Sequence, residues 1–565
     1  MKRWRIKEAA NPEAVQKLSR ELNITPVLAN LLVQRGITDF DSAKKFFRPS
    51  LADLHDPFLM KDMDKAVERI AKAVENGEKI LVYGDYDVDG TSAVALVYVF
   101  LTSFYGKVDY YIPDRYKEGY GISAAGIDFA ADQGCSLIIA LDCGIKANEK
   151  VRYATEKGID FIICDHHLPG NELPGAAAIL DPKQAGCQYP YKELSGCGIG
   201  FKLVQAYCMK NNIAPEELEQ YLDLVVISIA SDIVPITGEN RILAYFGLRQ
   251  INTEPRQGLR TLLELNNVKR ELSITDLVFI IGPRINAAGR IDSGRKAVEL
   301  LISPNVELAK GAGEEINRHN VERKDLDISI TQHALQMIAG NEAMAKRKTT
   351  VVYYPDWHKG VVGIVASRLI EKYYRPTIVL TQSSGLITGS ARSVKDFDLY
   401  EAISACSHLL EQFGGHKYAA GLSLKPENLE AFSAQFEKVV SETIEEHMLI
   451  PEVEIDAEIS FAEINPRMMS ILKQFGPFGP GNMAPVFVTR SVSDKGWAKV
   501  VGNNHLKMDL YQSGHNSTYS CIAFGQGEKY DVICRKIPFD VCYAIEENEF
   551  NGRVSLQLNV KDIKA

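Results

Sequence analysis

Three features are missing from this sequence of 565 residues, and each absence excludes a class of protein. No apolar run is long enough to cross a bilayer, so the sequence predicts no membrane span. The ten cysteines are scattered without any Cys-x-x-Cys pair, which argues against a zinc ribbon and is typical of reduced thiols in a core. The net charge is −9, so we do not expect nucleic acid to coat the whole surface, although a local basic patch is compatible with this total.

The sequence otherwise has the composition of an ordinary globular protein. Hydrophobic residues make up 46% of the chain and charged residues 24%. A chain of this length is too long for one core and predicts three or four domains. The first seven residues carry positive charge, but no apolar segment of a secretory signal follows them. We therefore expect a cytoplasmic protein that does not associate with a membrane.

An acidic loop dominates residues 79–91, which read Lys-Ile-Leu-Val-Tyr-Gly-Asp-Tyr-Asp-Val-Asp-Gly-Thr. An apolar run ends at Gly84, three carboxylates follow at alternate positions, and a new apolar segment begins at Ser92. This pattern predicts a strand, a loop and a helix. The carboxylates belong to Asp85, Asp87 and Asp89. They repel one another unless a cation neutralises them, so bound metal is the simplest explanation and a solvated turn is the alternative.

Strands and helices alternate from residue 61 to about residue 235, which predicts a mainly parallel sheet with helices on both faces. In such sheets, ligands bind beyond the carboxyl ends of the strands. Asp142 follows the predicted strand 137–141, and Asp232 ends a predicted helix. Asp165, His166 and His167 follow the predicted strand 161–164.

These carboxylate and imidazole groups suit Mn²⁺ or Mg²⁺ rather than zinc, and their number is sufficient for two ions. Taken singly, Asp165 is equally well explained as a helix N-cap, and the histidine pair as part of a turn. Because four elements converge on one edge of the predicted sheet, we favour the metal site.

Four motifs make the chain similar to the DHH phosphoesterase superfamily. They are Gly-Asp-Tyr-Asp-Val-Asp-Gly at 84–90, Leu-Asp-Cys-Gly at 141–144, Asp-His-His at 165–167 and Ser-Asp at 231–232. Within that superfamily the chain most resembles bacterial single-stranded-DNA exonucleases, with further matching blocks at 112–121, 283–290, 389–393 and 414–421. The resemblance covers nearly the whole chain and shows no departure at a motif position.

The resemblance implies a set of site residues. One ion would be held by Asp85, Asp87 and Asp142, and the other by Asp89, Asp142, His166 and Asp232. His167 would contact the phosphoryl oxygens as a charged stabiliser or a general acid. The substrate would be bound by Arg115, Arg284, Ser390, Arg392, Gly415 and His416. Arginine and hydroxyl groups are suited to a terminal phosphate, and a glycine-rich turn allows close backbone approach to a nucleotide or serves as a hinge.

The patterns and the resemblance together predict an α/β multidomain protein. Its regions would be a helical N-terminal segment (1–60), a parallel-sheet DHH catalytic domain (61–305), a long bridging helix (306–348), an α/β DHH-associated domain (349–447) and a C-terminal β-barrel of the OB-fold (448–565). Such barrels bind single strands by stacking bases on aromatic side chains beside basic ones. The candidates here are Trp497, Tyr519, Lys499 and Lys507.

We therefore predict a metal-dependent 5′→3′ exonuclease that hydrolyses phosphodiester bonds of single-stranded DNA and acts in DNA repair and recombination. The polarity and the preference for DNA come from the resemblance, which also implies single-strand-binding protein as a partner. We expect a monomer. One alternative is a DHH-type phosphodiesterase for short oligonucleotides or cyclic dinucleotides. The other is a non-catalytic replication or repair scaffold.

Overall fold

The structure is a computed structural model that describes residues 2–515, 517–550 and 553–565. Residue 1 of the predicted N-terminal segment and residues 516 and 551–552 of the predicted barrel lie outside the described residues. The chain divides into two units. The larger unit comprises residues 9–320 and 464–484, and the smaller unit comprises residues 1–8, 321–463 and 485–565.

A five-stranded parallel sheet organises the larger unit. Its strands lie in the order Val108–Tyr111, Lys79–Gly84, Cys135–Leu141, Asp160–Cys164 and Ala178–Leu180. Side chains alternate between two cores, so that Ile80 and Val82 pack on one face and Leu81 and Tyr83 on the other. Because both faces are covered, the strands are apolar almost throughout. The predicted parallel sheet is confirmed.

Helices cover both faces of this sheet. Residues of Val88–Thr102 and Gly196–Lys210 pack in one core, and residues of Ala124–Asp132 and Asn148–Glu156 in the other. The remaining helices of the larger unit are Pro12–Leu22, Pro26–Val33, Phe40–Phe47, Met63–Glu75, Leu222–Ser231, Gly238–Thr253, Gln257–Leu265, Ile274–Asp276, the π-helical Leu277–Ile281, Gly282–Ile291, Arg295–Leu301 and Pro466–Gln474.

The predicted long helix is present as Val306–Ala339, a single element of 34 residues. The division between the two units falls within it, after residue 320. Its polar sequence with apolar residues at helical intervals is typical of a helix that is only partly covered. The limits of the five predicted regions stay predictions.

The smaller unit contains a mixed five-stranded sheet. Its strands lie in the order Gln412–His416, Ala419–Leu424, Leu386–Arg392, Thr377–Ser383 and Thr350–Tyr353. Only the last pair is parallel, and the other neighbours are antiparallel. The accompanying helices are Glu342–Lys346, Val362–Lys372, Leu399–Ser404 and Leu429–Thr443.

A second, strand-rich sheet of the smaller unit confirms the predicted OB-type barrel. Its strands lie in the order Ala457–Glu458, Val486–Asp494, Phe539–Phe550, Arg553–Lys564, Thr518–Ala523, His505–Gln512 and Lys499–Val501. An additional pairing joins Val486–Asp494 to His505–Gln512 and closes the sheet on itself. The short helix Tyr530–Cys534 precedes the long C-terminal hairpin.

Two segments make contacts that the predicted arrangement does not include. The segment expected to be helical begins with a strand, Arg3–Ile6, which pairs in parallel with Glu452–Ile455 and is supported by an ion pair between Lys7 and Asp456. Residues 464–484 pack with the larger unit, where the backbone N–H of Ile236 donates to the carbonyl of Pro480, and their assignment to the barrel region stays a prediction. Both arrangements join segments far apart in the chain, so local periodicity carries no sign of them. In the described part of the chain, no helix combines the length and the apolarity that a bilayer crossing needs.

Candidate active site

The acidic loop lies between the strand Lys79–Gly84 and the helix Val88–Thr102. Asp87 caps that helix, because one of its carboxylate oxygens accepts a hydrogen bond from the backbone N–H of Gly90 at 3.0 Å. Only glycine fits at position 90, since a Cβ atom there would lie 2.4 Å from the carbonyl oxygen of Asp85. The loop therefore folds tightly enough to hold several carboxylates at one strand end.

Asp85 is a buried carboxylate with only 1% of its surface exposed. Neither of its oxygens completes a well-formed hydrogen bond with a described residue. Burial and then the negative charge of Asp87 raise the pKa of the Asp85 carboxyl well above its ordinary value, although the backbone N–H groups of Tyr86 and Gly121 lower it. A buried carboxylate without donors is costly, and a bound cation supplies the missing partner.

Asp142 follows the strand Cys135–Leu141 in the left-handed backbone region, with φ at 59°. Its Oδ1 atom is also buried and lacks a hydrogen-bond partner in the described part of the structure. Burial, and then the charges of Asp89 and Asp87, raise the pKa of its carboxyl well above the ordinary value. The helix Gly196–Lys210 begins against this side chain, since a Cβ atom on Gly196 would lie 2.6 Å from the Asp142 Cβ.

His166 lies among three of the predicted ligands. Its Nε2 atom is 3.1 Å from Oδ1 of Asp142, 3.5 Å from Oδ2 of Asp232 and 3.8 Å from Oδ2 of Asp89. Burial lowers the pKa of His166, which favours the neutral imidazole that binds metals. Burial and the charges of Asp89 and Asp87 raise the pKa of Asp232 to about 9.

Asp89 is held in place by donors from two helices. The backbone N–H groups of Gly196 and Cys197 donate to its two oxygens, each at 2.7 Å, and the Ser228 hydroxyl donates to Oδ1 at 2.7 Å. The start of the helix Gly196–Lys210 thus stabilises this negative charge. Asp89 Oδ2 remains 3.8 Å from His166 Nε2, within reach of a shared ion.

Asp165 fixes the histidine pair. Its Oδ1 atom accepts hydrogen bonds from the backbone N–H groups of His166 and His167, at 2.8 and 3.1 Å, and lies 2.7 Å from Nδ1 of His167. The backbone N–H of Ile145 donates to the other oxygen at 2.9 Å. Burial lowers the pKa of His167, but the hydrogen bond and the charge of Asp165 outweigh burial and leave that pKa above its ordinary value. His167 therefore points its Nε2 atom away from Asp165 and carries charge more readily than its neighbour.

The structure brings the candidate ligands into two overlapping groups. Asp142, His166 and His167 form one, and Asp89, His166 and Asp232 form the other; in each, the possible ligand atoms lie within 4.8 Å of one another. The second group, with two carboxylates and one imidazole, fits Mn²⁺ or Mg²⁺. Such a set can position water and stabilise charge in phosphodiester hydrolysis.

Reasoning from sequence missed two residues that organise this site, Tyr120 and Ser228, and named Asp165 without its task of orienting the histidines. Tyr120 is 56% exposed, and its hydroxyl lies 3.3 Å from His167 Nε2 and donates to the Asp142 carbonyl at 3.3 Å. Ser228 holds Asp89, and Asp165 holds both histidines. Only Asp165 had a local signal, because an aspartate before a turn commonly accepts backbone hydrogen bonds.

Two of the predicted substrate residues lie in the larger unit. The Arg115 guanidinium lies over the Tyr86 ring, 4.9 Å from its centroid, beside the acidic loop. Arg284 is bound within the unit instead: its guanidinium donates to Asn317 at 2.9 Å and also to Asn266. Its predicted substrate contact stays a prediction.

The other predicted substrate residues lie on the mixed sheet of the smaller unit. The Arg392 guanidinium donates to the Ser390 hydroxyl at 2.7 Å, so these two groups form one polar site on the strand Leu386–Arg392. Gly415 has a φ of 147°, and a Cβ atom there would lie 2.3 Å from the Ala419 carbonyl oxygen, so the hairpin requires glycine. The exposed His416 ends the strand Gln412–His416.

Family models match three parts of the chain: the DHH family N-terminal domain at 79–229, the DHHA1 domain at 347–442 and the RecJ OB domain at 455–562. The single-stranded-DNA-specific exonuclease RecJ of Bacillus subtilis is 37% identical over 99% of this chain and 70% of its own length. The chain belongs to the RecJ family. RecJ of Salmonella typhimurium is 33% identical over 98% of both chains.

Solved RecJ structures have the same fold. The crystal structure of Thermus thermophilus RecJ in complex with Mn²⁺ superimposes with a TM-score of 0.86 at 26% identity and covers 100% of this chain and 79% of its own. The same protein in complex with Mg²⁺ gives a TM-score of 0.80 at 25% identity, over 100% of this chain and 78% of its own. Both ions are those that the chemistry of the site favours.

Proposed function

We propose that this RecJ-family chain is a metal-dependent exonuclease that degrades single-stranded DNA from its 5′ end. The observation that carries the proposal is the set of buried carboxylate oxygens without well-formed hydrogen bonds on Asp85 and Asp142, of which Asp142 lies 3.1 Å from the imidazole of His166. The substrate is inferred from the relatives, which are named single-stranded-DNA-specific exonucleases. We also propose that the chain acts in DNA repair and recombination.

The site holds two divalent ions in this proposal. Asp85, Asp87 and Asp142 hold one, and Asp89, Asp142, His166 and Asp232 hold the other. When bound, the pair supplies an activated water and neutralises the leaving oxygen of the phosphodiester. Asp142 contributes to both ions, which is consistent with its 3.1 Å approach to His166 and its lack of a protein donor at Oδ1.

The side chains around the ions have separate tasks. Asp165 orients His167 and favours its charged form, so His167 stabilises negative charge on the phosphoryl oxygens. Tyr120 supports His167 from the other ring nitrogen, at 3.3 Å. Arg392 and Ser390 bind the terminal 5′ phosphate, for which a guanidinium is well suited.

We further propose that the enzyme acts in the cytoplasm as a monomer and that a single-strand-binding protein delivers its substrate. The exposed aromatic and basic residues of the barrel, Trp497 and Lys499 among them, contact the passing strand. Tyr519 is a poorer candidate, because its ring packs against Phe461 with the centroids 5.2 Å apart.

Digestion of end-labelled DNA tests the proposed function. Single strands should be shortened from the 5′ end with Mn²⁺ or Mg²⁺, duplexes should resist, and chelator should stop the reaction. Asp142→Ala is the matched inactive variant, and it should still bind single strands. Turnover of that variant at a near-normal rate would refute the metal assignment, and digestion from the 3′ end would refute the polarity.

A further inference from the structure

A second cluster of metal-binding side chains lies outside the proposed catalytic centre. Asp292, Glu315 and His319 each present a possible ligand atom, and these atoms lie within 4.8 Å of one another. Asp292 follows the helix Gly282–Ile291, while Glu315 and His319 are four residues apart on the helix Val306–Ala339. Residues with that spacing lie on the same face of a helix.

His319 carries the evidence for a ligand. Only 7% of its surface is exposed, and its buried Nδ1 atom has no hydrogen-bond partner among the described residues. A buried ring nitrogen without a partner is costly. The cluster lies beside this ring, yet no ion pair within the described part of the chain joins His319 to Asp292 or Glu315. A cation held by the imidazole and the two carboxylates would supply the missing partner.

Glu315 already has two basic neighbours. Lys296 Nζ lies 3.4 Å from its Oε2 atom, and Arg318 Nη2 lies 3.8 Å from its Oε1 atom. Both basic side chains are substantially exposed, at 36% and 70%, and ion pairs of that kind contribute little to stability. They leave the carboxylate available to a more strongly bound divalent ion.

We propose that Asp292, Glu315 and His319 form a separate site for a zinc-type divalent cation. One imidazole and two carboxylates suit Zn²⁺, with water completing the coordination. The affinity order of first-row metals places Zn²⁺ above Mn²⁺ at such a set, whereas Mg²⁺ prefers oxygen ligands and its own water. The exposed carboxylate of Asp292 provides the entry path.

The position of the site indicates what the ion does. Asp292 lies in a turn that packs against Tyr86, the residue between Asp85 and Asp87 in the acidic loop. The packing is close on both sides of Asp292: a Cβ atom on Gly289 would lie 2.7 Å from the Tyr86 carbonyl oxygen, and one on Gly294 would lie 3.1 Å from the Tyr86 Cα. An ion shared with Glu315 and His319 ties this turn to the long helix. The ion therefore stabilises the turn that packs against the acidic loop and does not contact the substrate.

Calorimetric titration of the full chain with Zn²⁺, without DNA, tests the site. His319→Gln should bind one Zn²⁺ fewer than the unaltered chain, or bind that ion at least about tenfold more weakly. Asp292→Asn alters an exposed residue and should give the same loss without affecting folding. Glu314→Gln, next to the site on the same helix and 58% exposed, is the matched control and should bind as the unaltered chain does.

A thermal readout complements the titration. Zn²⁺ should raise the Tm of the unaltered chain and of Glu314→Gln more than that of Asp292→Asn, because a bound ion stabilises the folded state. Equal Zn²⁺ stoichiometry and equal Tm increments in Asp292→Asn and the control would overturn the proposal. Neither measurement depends on nuclease activity, so failure here is distinct from failure of the proposed function.

Discussion

A buried carboxylate without a donor must bind either a proton or a cation. At the scale of single residues, this requirement determines the protonation of the site when no metal is bound. Burial and neighbouring charge raise the pKa of Asp85 and Asp142 above the ordinary range, and that of Asp232 to about 9. Without metal, Asp232 therefore holds a proton at neutral pH in the folded protein, and Asp85 and Asp142 hold protons more readily than ordinary carboxyls do. A divalent ion must displace those protons in order to bind.

We predict that the metal-free protein loses stability as the pH rises. Asp232 titrates near 3.8 when unfolded and near 9 when folded, so the folded state binds more protons between these values, and the free energy of unfolding falls as the pH rises through them. Tm in chelator should decrease from pH 6 to pH 8.5, and Mn²⁺ should reduce or reverse that decrease.

Asp142→Asn is the matched control for this prediction, because the amide mimics the protonated carboxyl. In chelator at high pH it should melt at a higher temperature than the unaltered chain. An identical dependence of Tm on pH with chelator and with Mn²⁺ would contradict the proton-linked site.

The two adjacent histidines should respond differently to substitution. His166→Ala removes a nitrogen that lies 3.1 Å from Asp142 and should weaken Mn²⁺ binding about 10- to 100-fold. His167→Ala should leave Mn²⁺ binding nearly unchanged but lower kcat about 100-fold, because it removes a stabiliser of developing charge. Calorimetric Mn²⁺ titration and steady-state kinetics separate the two effects. An equal loss of Mn²⁺ affinity in both variants would mean that His167 is also a ligand.

Recognition of the strand end is expected to depend on Arg392. Removing a charge-assisted contact costs about 1.5–3 kcal/mol, or about one to two orders of magnitude in kcat/KM. Arg392→Ala should therefore slow digestion of 5′-phosphorylated DNA much more than that of 5′-hydroxyl DNA. Ser390→Ala, which keeps the guanidinium, is the conservative comparison and should give a smaller difference. If Arg392→Ala lowers both rates by the same factor, the residue contacts the backbone generally and does not recognise the end.

At the scale of elements, sequence predicted what is local and missed what is long-range. The strand Lys79–Gly84, the acidic loop and the helix after it are neighbours in the chain, so apolar periodicity and turn residues specify them. The donors that hold Asp89 come from residues more than 100 positions away, at Gly196 and Ser228, and no local pattern reveals that contact. The pairing of Arg3–Ile6 with Glu452–Ile455 escaped prediction for the same reason.

Another long-range contact joins the N-terminal segment to the rest of the larger unit. Lys202 is fully buried, and its ammonium donates to Glu239 at 3.0 Å and to the His55 carbonyl at 2.8 Å. The Tyr189 hydroxyl donates to the other oxygen of Glu239 at 2.7 Å. Every member of this network has a partner, so its stability depends on keeping all of them.

Lys202→Met should destabilise the larger unit by about 3–5 kcal/mol, because it leaves the Glu239 carboxylate buried without its counter-ion. The double variant Lys202→Met with Glu239→Gln removes both charges and should recover much of that loss. Urea unfolding followed by far-UV circular dichroism measures both. If the single and the double variant unfold at the same urea concentration, the effects of Lys202 and Glu239 on stability are not coupled.

At the scale of the whole molecule, three family models match successive parts of one chain, and each part has a distinct chemistry. The parallel sheet presents carboxylates and imidazoles at its strand ends. The mixed sheet presents Arg392 and Ser390, and the barrel presents exposed aromatic and basic side chains. This division of tasks predicts that substitutions in the barrel weaken the binding of long single strands. The rate of phosphodiester hydrolysis and the preference for a 5′ phosphate should not change.

Trp497 provides the sharpest test of that division, because it is 72% exposed and can be removed without disturbing a core. Loss of one stacked base costs about 1–3 kcal/mol, so Trp497→Ala should bind long single strands about 5- to 150-fold more weakly. Phe279→Ala removes an aromatic side chain of equal exposure, 72%, from the larger unit and is the matched control. Fluorescence anisotropy with strands of about 4 and about 30 nucleotides distinguishes the outcomes, since an OB-fold binds about 4–16 nucleotides. On the short strand, Trp497→Ala should bind with the same affinity as the unaltered chain and should keep the preference for a 5′ phosphate. An equal loss of affinity for both strand lengths would instead mean that Trp497 contacts the strand end.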